Sequence, residues 1–293
     1  MSLVSVERHD AVSVITIDNP PVNALSQGVR AGLMDCIAKA AADAGCEAIV
    51  IACSGRTFIA GADIKEFGKA PVEPFLPDVV AGIEACEKPV VAAIHGTALG
   101  GGFEVAMACH YRFALETASV GLPEVNLGLL PGASGTQRLP RLIGAAAALD
   151  VMLSGKPVDA SRALELGAVD RVASEDLIVG AIAFAKECVR TGPRRVRDME
   201  VPDVDPGLFA EVRQNIAAKS RGLLSPERII RCVELATTTG FDAGLVAERE
   251  YFLECMASPQ SAGLRHAFFA ERQVGKVPGI DKSAAGRSIS SVA

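Results

Sequence analysis

The sequence predicts an α/β layered fold that gives way to a helical region near its end. Two observations carry this expectation. Short apolar runs of strand length recur through the first half, each followed by a glycine-bearing turn and a stretch with helical spacing. In the last third, helix starts and stops follow one another with no strand pattern between them. The chain of 293 residues, 49% hydrophobic and 22% charged, is long enough to bury a sizeable core and has an ordinary globular composition.

Ala11–Asp18 alternates branched apolar with small or polar residues and reads as a strand, broken by Asn19-Pro20-Pro21. Ser26–Ala44 places Val29, Leu33, Ile37 and Ala40 on one helical stripe, which Gly45 can end. Glu47–Cys53 and Lys88–His95 read as buried strands, the second with Pro89 confined to its start. Ser134–Ile143, Ala145–Ser154 and Asp159–Leu166 read as short helices, the last with Asp159 as N-cap. Val169–Ala173 is a short strand and Asp176–Arg190 a helix. The polar, proline-bearing stretch Thr191–Pro206 marks a subdomain boundary. Beyond it, Ser225-Pro226-Glu227 reads as a helix start with Ser at the cap. Gly240 ends one helix and caps the next, and Ser258-Pro259 opens a third. Gly279–Ala293 is rich in Ser, Ala and Gly and reads as a linker. The division is thus 1–200, 201–258 and 259–293.

Composition also excludes function classes. A net charge of −6 and a pI near 5.4 argue against a nucleic-acid partner. Aromatics make up 4% of the chain, with no Trp, so a stacking platform for bases is not expected. No apolar run reaches the ~18 residues of a membrane span, and the first ten residues lack a signal layout. The eight cysteines are scattered, with no CxxC and no Cys/His spacing for zinc, so they read as reduced, packed side chains and no metal site is expected. Phosphate-loop, GxGxxG, GxSxG and HExxH signatures are all missing.

Three segments carry the candidate chemistry. The first, Phe58–Glu66, holds the Ala60-Gly61-Ala62-Asp63 turn, with Asp63 and Glu66 spaced as a capping pair. The second, His95–Glu104, sets Gly100, Gly101 and Gly102 between a strand and a helix, where backbone N–H groups can face a ligand. The third runs from Gly121-Leu122-Pro123-Glu124 through Gly132 to Leu139. Each segment alone fits an ordinary loop, and each glutamate alone fits a solvated charge or a helix-dipole partner. Together, two glutamates and two turns with exposable N–H groups make an oxyanion site with an acid/base pair.

In this order and combination, the AGAD turn, the ALGGGxE turn-helix and the GxPE…PGxxGTQRL run resemble the enoyl-CoA hydratase/isomerase (crotonase) superfamily over about residues 3–200. The resemblance implies a crotonase-like spiral of ββα units with a helical C-terminal region. It implies Glu104 and Glu124 as the two catalytic carboxylates and the backbone N–H groups of Ala62 and Gly101 as the oxyanion hole. It also implies Gly132 as a backbone group placing the catalytic water, and Ala60, Gly61 and Ala62 as backbone near CoA. Of the two carboxylates, Glu104 is expected to activate water and Glu124 to supply the proton at C2. The implied substrate is an acyl-CoA, with no metal or redox cofactor. The sequence departs from the family at Phe103, which could narrow the acyl pocket, and at Ser134, often Gly.

The stretch from Ser225 to Arg272 resembles the corresponding part of multifunctional β-oxidation enzymes, where a linker helix leads to a 3-hydroxyacyl-CoA dehydrogenase domain. Ala262–Gly275 matches that helix, and Ser288–Ala293 the approach to the next domain, so a dehydrogenase domain is expected in a longer chain. In that branch the linker helix can cover the surface through which other family members form trimers and hexamers, so a monomer is expected. Location is expected to be cytoplasmic, with the peroxisome as the alternative. The leading reading is a 2-enoyl-CoA hydratase with accompanying Δ3-Δ2 isomerase activity. Open beside it are another reaction of the same superfamily, isomerisation alone or acyl-CoA hydrolysis, and a non-catalytic homologue that binds acyl-CoA or RNA.

Overall fold

A computed structural model describes residues 2–274 apart from 64, 65, 67, 175 and 221. The Ile64-Lys65 part of the first segment, Gly275 and the expected linker 279–293 therefore lie outside the described residues. Nine strands and eleven helices are seen among the described residues.

The first layer is a six-stranded sheet. Strands β1 (Val4–His9) and β2 (Val12–Ile17) form an antiparallel hairpin at one edge. Helix α1 (Gln27–Ala42) crosses to β3 (Ala48–Cys53), and α2 (Leu76–Ala85) to β4 (Val90–Ile94). Both new strands add in parallel. From there the chain spirals. Strand β5 (Thr97–Leu99) belongs to a second, three-stranded sheet, and α3 (Gly101–Ala108) returns to β6 (Tyr111–Leu115) in the first. The next turn places β7 (Ser119–Gly121) in the second sheet and continues into α4 (Gly135–Ile143) and α5 (Ala145–Ser154). Strand β8 (Val158–Asp159), α6 (Ala160–Leu166), β9 (Arg171–Ala173) and α7 (Leu177–Thr191) complete the spiral. The sheet orders are β1-β2-β3-β4-β6-β9 and β5-β7-β8, the layout of the expected ββα spiral.

Both faces of the large sheet are buried, which is why its central strands are continuously apolar rather than alternating. One face meets α1, α2 and the second sheet, and the other is closed by α7 through Phe184, Ala181 and Ala185. All eight cysteines are free and buried.

The helical region consists of α8 (Leu208–Ser220), α9 (Leu224–Thr238), α10 (Phe241–Ala257) and α11 (Pro259–Val274). Helix α9 packs on α4, α5, α8 and α10, whereas α11 packs on α10 and on the 3-10 turn Glu124–Leu127. Ser261 Oγ donates to the Leu127 carbonyl at 2.8 Å. The expected cap at Ser225 is not formed. The helix begins at Leu224, whose N–H donates to Gln260 Oε1 at 2.8 Å, and Ser225 is buried in its first turn. At the start of α11 the expected opening at Ser258 does form, its Oγ accepting the Ser261 N–H at 3.1 Å.

The stretch Thr191–Pro206 is strapped down rather than loose. Arg194 pairs with Asp170, Arg195 Nε donates to the Glu84 carbonyl, and the Arg197 N–H donates to Glu84 Oε1. Glu84 also holds Arg138 of α4 in a two-point pair at 2.6 and 3.2 Å, both side chains buried. Removing one partner of such a pair strands a charge away from water. Glu84→Gln is therefore expected to cost about 3–5 kcal/mol in urea unfolding, and a cost below about 1 kcal/mol would show the pair to be dispensable.

Candidate active site

The site forms where four backbone segments converge. Gly61 (φ +99°) turns the chain so that its carbonyl accepts the Leu25 N–H at 3.0 Å and Ala62 bridges to Leu25. Gly100 (φ +55°) ends β5 and stands at the N-terminus of α3. Gly101 is the first residue of α3, so its N–H belongs to the turn whose amides have no intrahelical acceptor. A Cβ built on Gly101 would lie 3.5 Å from the Ala62 nitrogen, so the backbones that carry the two expected oxyanion-hole amides approach closely. Ala60, Gly61 and Ala62 are half-buried and thus reachable from outside.

Glu104 rises from the first turn of α3 and is buried. Its Oε1 accepts the Ala133 N–H at 2.7 Å and the Gly135 N–H at 2.8 Å. Gly135 has to be glycine, because a Cβ there would lie 2.8 Å from that same oxygen. Burial pushes the Glu104 carboxyl up to about 7, against the pull of the two N–H groups and of Arg138. Glu124 begins the 3-10 turn. Its Oε1 hangs over Gly100, where a Cβ would be 3.0 Å away, and its Oε2 is buried with no hydrogen-bond partner among the described residues. Burial, then the charge of Glu104, holds Glu124 well above the usual carboxylate range. The structure thus brings Glu104, Glu124, Gly101, the 60–62 turn and Gly132 together.

One expectation changes, and two departures from the family pattern gain a structural setting. Phe103 is buried and lines a small apolar cavity together with Val120, Leu139 and Ile143. Glu66 does not serve as a cap for its own turn, because its carboxylate accepts the Gln27 N–H at the start of α1 and pairs with Arg30, both at 2.8 Å. Ser134 holds φ +76° at the N-cap of α4, a left-handed conformation that explains why glycine suits this position.

The sequence reading missed another buried carboxylate held on this loop. Glu248 of α10 accepts the Ser134 N–H at 2.6 Å, the Thr136 N–H at 3.0 Å and the Thr136 hydroxyl. Burial and the charge of Glu104 raise it to about 8. A signal was present: Phe241, Gly244, Glu248 and Cys255 share the buried stripe of α10, and an acid in such a stripe needs a partner. A cavity of about 280 Å³ lies against Glu248, Ala133, Phe75, Val80, Phe241 and Leu245. Among the described residues, no group of His, Cys, Asp and Glu is arranged to hold a metal ion, and no helix is long and apolar enough to cross a membrane.

Residues 7–201 match the family described as Enoyl-CoA hydratase/isomerase. The peroxisomal bifunctional enzyme of Homo sapiens is 42% identical over 97% of this chain, and that of Cavia porcellus 41% over 96%. The chain spans 40% of the length of each. A crystal structure of an enoyl-CoA hydratase/isomerase from Pseudoalteromonas atlantica superposes with a TM-score of 0.69 at 26% identity, covering 92% of this chain and 97% of that one.

The raised carboxyls make stability fall with pH. Between their ordinary value of 4.5 and about 7 to 8, the folded protein keeps protons that the unfolded chain has released. Their contribution is complete below 4.5 and is lost as pH rises through that window. Urea midpoints of the wild type should drop between about pH 5 and about pH 8, and Glu104→Gln should drop less. Equal drops would show that Glu104 does not keep its proton on folding.

Proposed function

That this chain belongs to the enoyl-CoA hydratase/isomerase family is the premise from which we propose its reaction: addition of water across the 2,3 double bond of a trans-2-enoyl-CoA, with Δ3-Δ2-enoyl-CoA isomerisation at the same site. The observation that carries this reading is the unequal state of two carboxylates beside the close approach of the Ala62 and Gly101 backbones. Glu104, held by two N–H groups, is the one equipped to be charged. Glu124, with one buried oxygen left without a partner, is the one equipped to be protonated.

In the proposed sequence the thioester oxygen lies against the amides of Ala62 and Gly101. Glu104 removes a proton from water as its oxygen attacks C3, and negative charge moves through C2 onto the thioester oxygen. Glu124 then delivers its proton to C2 as the thioester is restored. Gly132, next to the amide that holds Glu104, helps place the water. Isomerisation needs only Glu124, which would carry a proton between C4 and C2. The chemistry calls for acid, base and oxyanion donors, with CoA as the carrier of the substrate, and for no metal or redox group.

The cytoplasmic placement gains no support from the relatives, whose names specify the peroxisome, so the peroxisomal alternative is the one we favour. Those relatives are called bifunctional and extend well beyond the span matched here, which supports the proposal of a dehydrogenase domain as a partner in a longer chain. The seat of α11 against α10 and the Glu124 turn supports a monomer.

Two measurements test these proposals. With crotonyl-CoA, Glu104→Gln should lower kcat by ~10²–10⁴-fold, and Glu124→Gln should abolish both hydration and conversion of a 3-enoyl-CoA. Hydration that survives Glu104→Gln unchanged would remove Glu104 as base, and acyl-CoA binding without turnover by the wild type would replace the enzyme by a binding protein. Light scattering should report a monomer, and a trimer or hexamer would overturn that assembly.

A further inference from the structure

The stretch Ala133–Thr136 divides its amides between two carboxylates. Ala133 and Gly135 donate to Glu104 on one side, and Ser134 and Thr136 donate to Glu248 on the other. The alternation is a consequence of geometry at the entrance to α4, where Ser134 takes a left-handed conformation and turns successive N–H groups to opposite sides. Glu248 comes from α10, far away in sequence, and is buried. Its second oxygen also takes the Thr136 hydroxyl, and Gln137 Nε2 ties that hydroxyl to the Cys232 carbonyl of α9. Neither the two-carboxylate reaction nor the packing of an ordinary core requires a glutamate at this position.

We propose that Glu248 is a positioning residue for hydration: it pins the Ser134 and Thr136 amides so that those of Ala133 and Gly135 aim at Glu104, and it shares with Glu104 a single negative charge at the N-terminus of α4. This rests on the reading of Glu104 as the base. The groups facing Glu248 fit such sharing. Glu104 and Glu124 repel its charge. Cys232 from α9 lies close by, and Asp78 from α2, Arg138 from α4, Arg197 and Arg249 line the cavity with it. Arg138 is already committed to Glu84, so it does not neutralise Glu248 outright. Two interacting carboxylates held by alternate amides of one short segment lose their protons in two steps that belong to the pair, and the first charge is divided between them.

The test is the full chain carrying Glu248→Gln, assayed on crotonyl-CoA across pH beside the wild type and Glu248→Asp. The amide of Gln presents an NH2 where a second acceptor is needed, so kcat should fall at least about tenfold while KM changes less than about twofold. The acid limb of kcat/KM should move to lower pH, because Glu104 then holds the whole charge. Glu248→Asp keeps a charge to share and should leave that limb near its wild-type position. A limb that does not move in Glu248→Gln overturns the proposal even if kcat falls, since structural damage alone lowers kcat. Should Glu248→Gln fail to fold, Thr136→Val weakens the charged form of Glu248 and should move the limb the same way; an unmoved limb again overturns it. Carbon-13 NMR of glutamate-labelled wild type and variants decides the charge sharing without activity. A two-step Glu104 titration that becomes one step supports it, and the same titration in both overturns it. A wild type that does not hydrate crotonyl-CoA counts against the proposed function and leaves this NMR result to decide the inference.

Discussion

Successive amides at the start of a helix carry partial positive charge and need acceptors, and a buried carboxylate needs donors. The segment Ala133–Thr136 satisfies both requirements at once, and much of the active site hangs on it. Glu104 could not be buried and still take up a charge without the Ala133 and Gly135 amides. Those amides hold their direction because the neighbouring pair, Ser134 and Thr136, is held by Glu248. The N-terminus of α4 is in turn anchored by Arg138 to Glu84 at the end of α2, and Glu84 also binds the strap that leads into the helical region. His110 closes the same cluster: its Nδ1 accepts the Val90 N–H, so Nε2 carries the proton toward the Glu84 carbonyl.

The spiral explains why this convergence is possible. The turns β4-β5-α3 and β6-β7-α4 each place one strand in the large sheet, one in the small sheet, and then a helix, which brings their glycine-bearing turns beside the turn at Gly61. Gly61 and Gly100 meet there, with a Cα of one within reach of a Cβ that the other lacks. The Glu124 turn packs over them and is itself covered by α11. The C-terminal helices therefore complete the site from behind: α10 supplies Glu248, and α11 supports the backbone that carries Glu124.

Much of the fold was legible wherever the local pattern matched the final environment. The strand at 47–53, the helices at 134–166, the Asp159 cap and the breaks at Gly240 and Ser258 all appear at the expected places. Elements whose pattern is blurred by their surroundings were missed. Strand β1 is an edge strand exposed along most of its length, and β6 hides its apolar run behind Arg112, which is buried only because Asp170 pairs with it. Strands β5 and β7 are three residues long, too short for a period to show. Helix α2 escaped because Leu76–Ala85 offers no Ser, Thr, Asp or Asn at its N-cap.

By itself the sequence determined the chemistry available: two glutamates and glycine-rich turns in an order specific enough to name a family, with no metal-ligand pattern and no span for a membrane. Those properties depend on residue type and local spacing, which the chain carries whether or not it is folded. Only the tertiary structure decided how the carboxylates differ. Glu104 and Glu124 are the same residue type, and what separates them is two amides given to one and a buried, partnerless oxygen left to the other. Only the fold could bring Glu248 to the same loop across more than a hundred residues of chain, because burial, charge repulsion and amide direction are properties of three-dimensional neighbours.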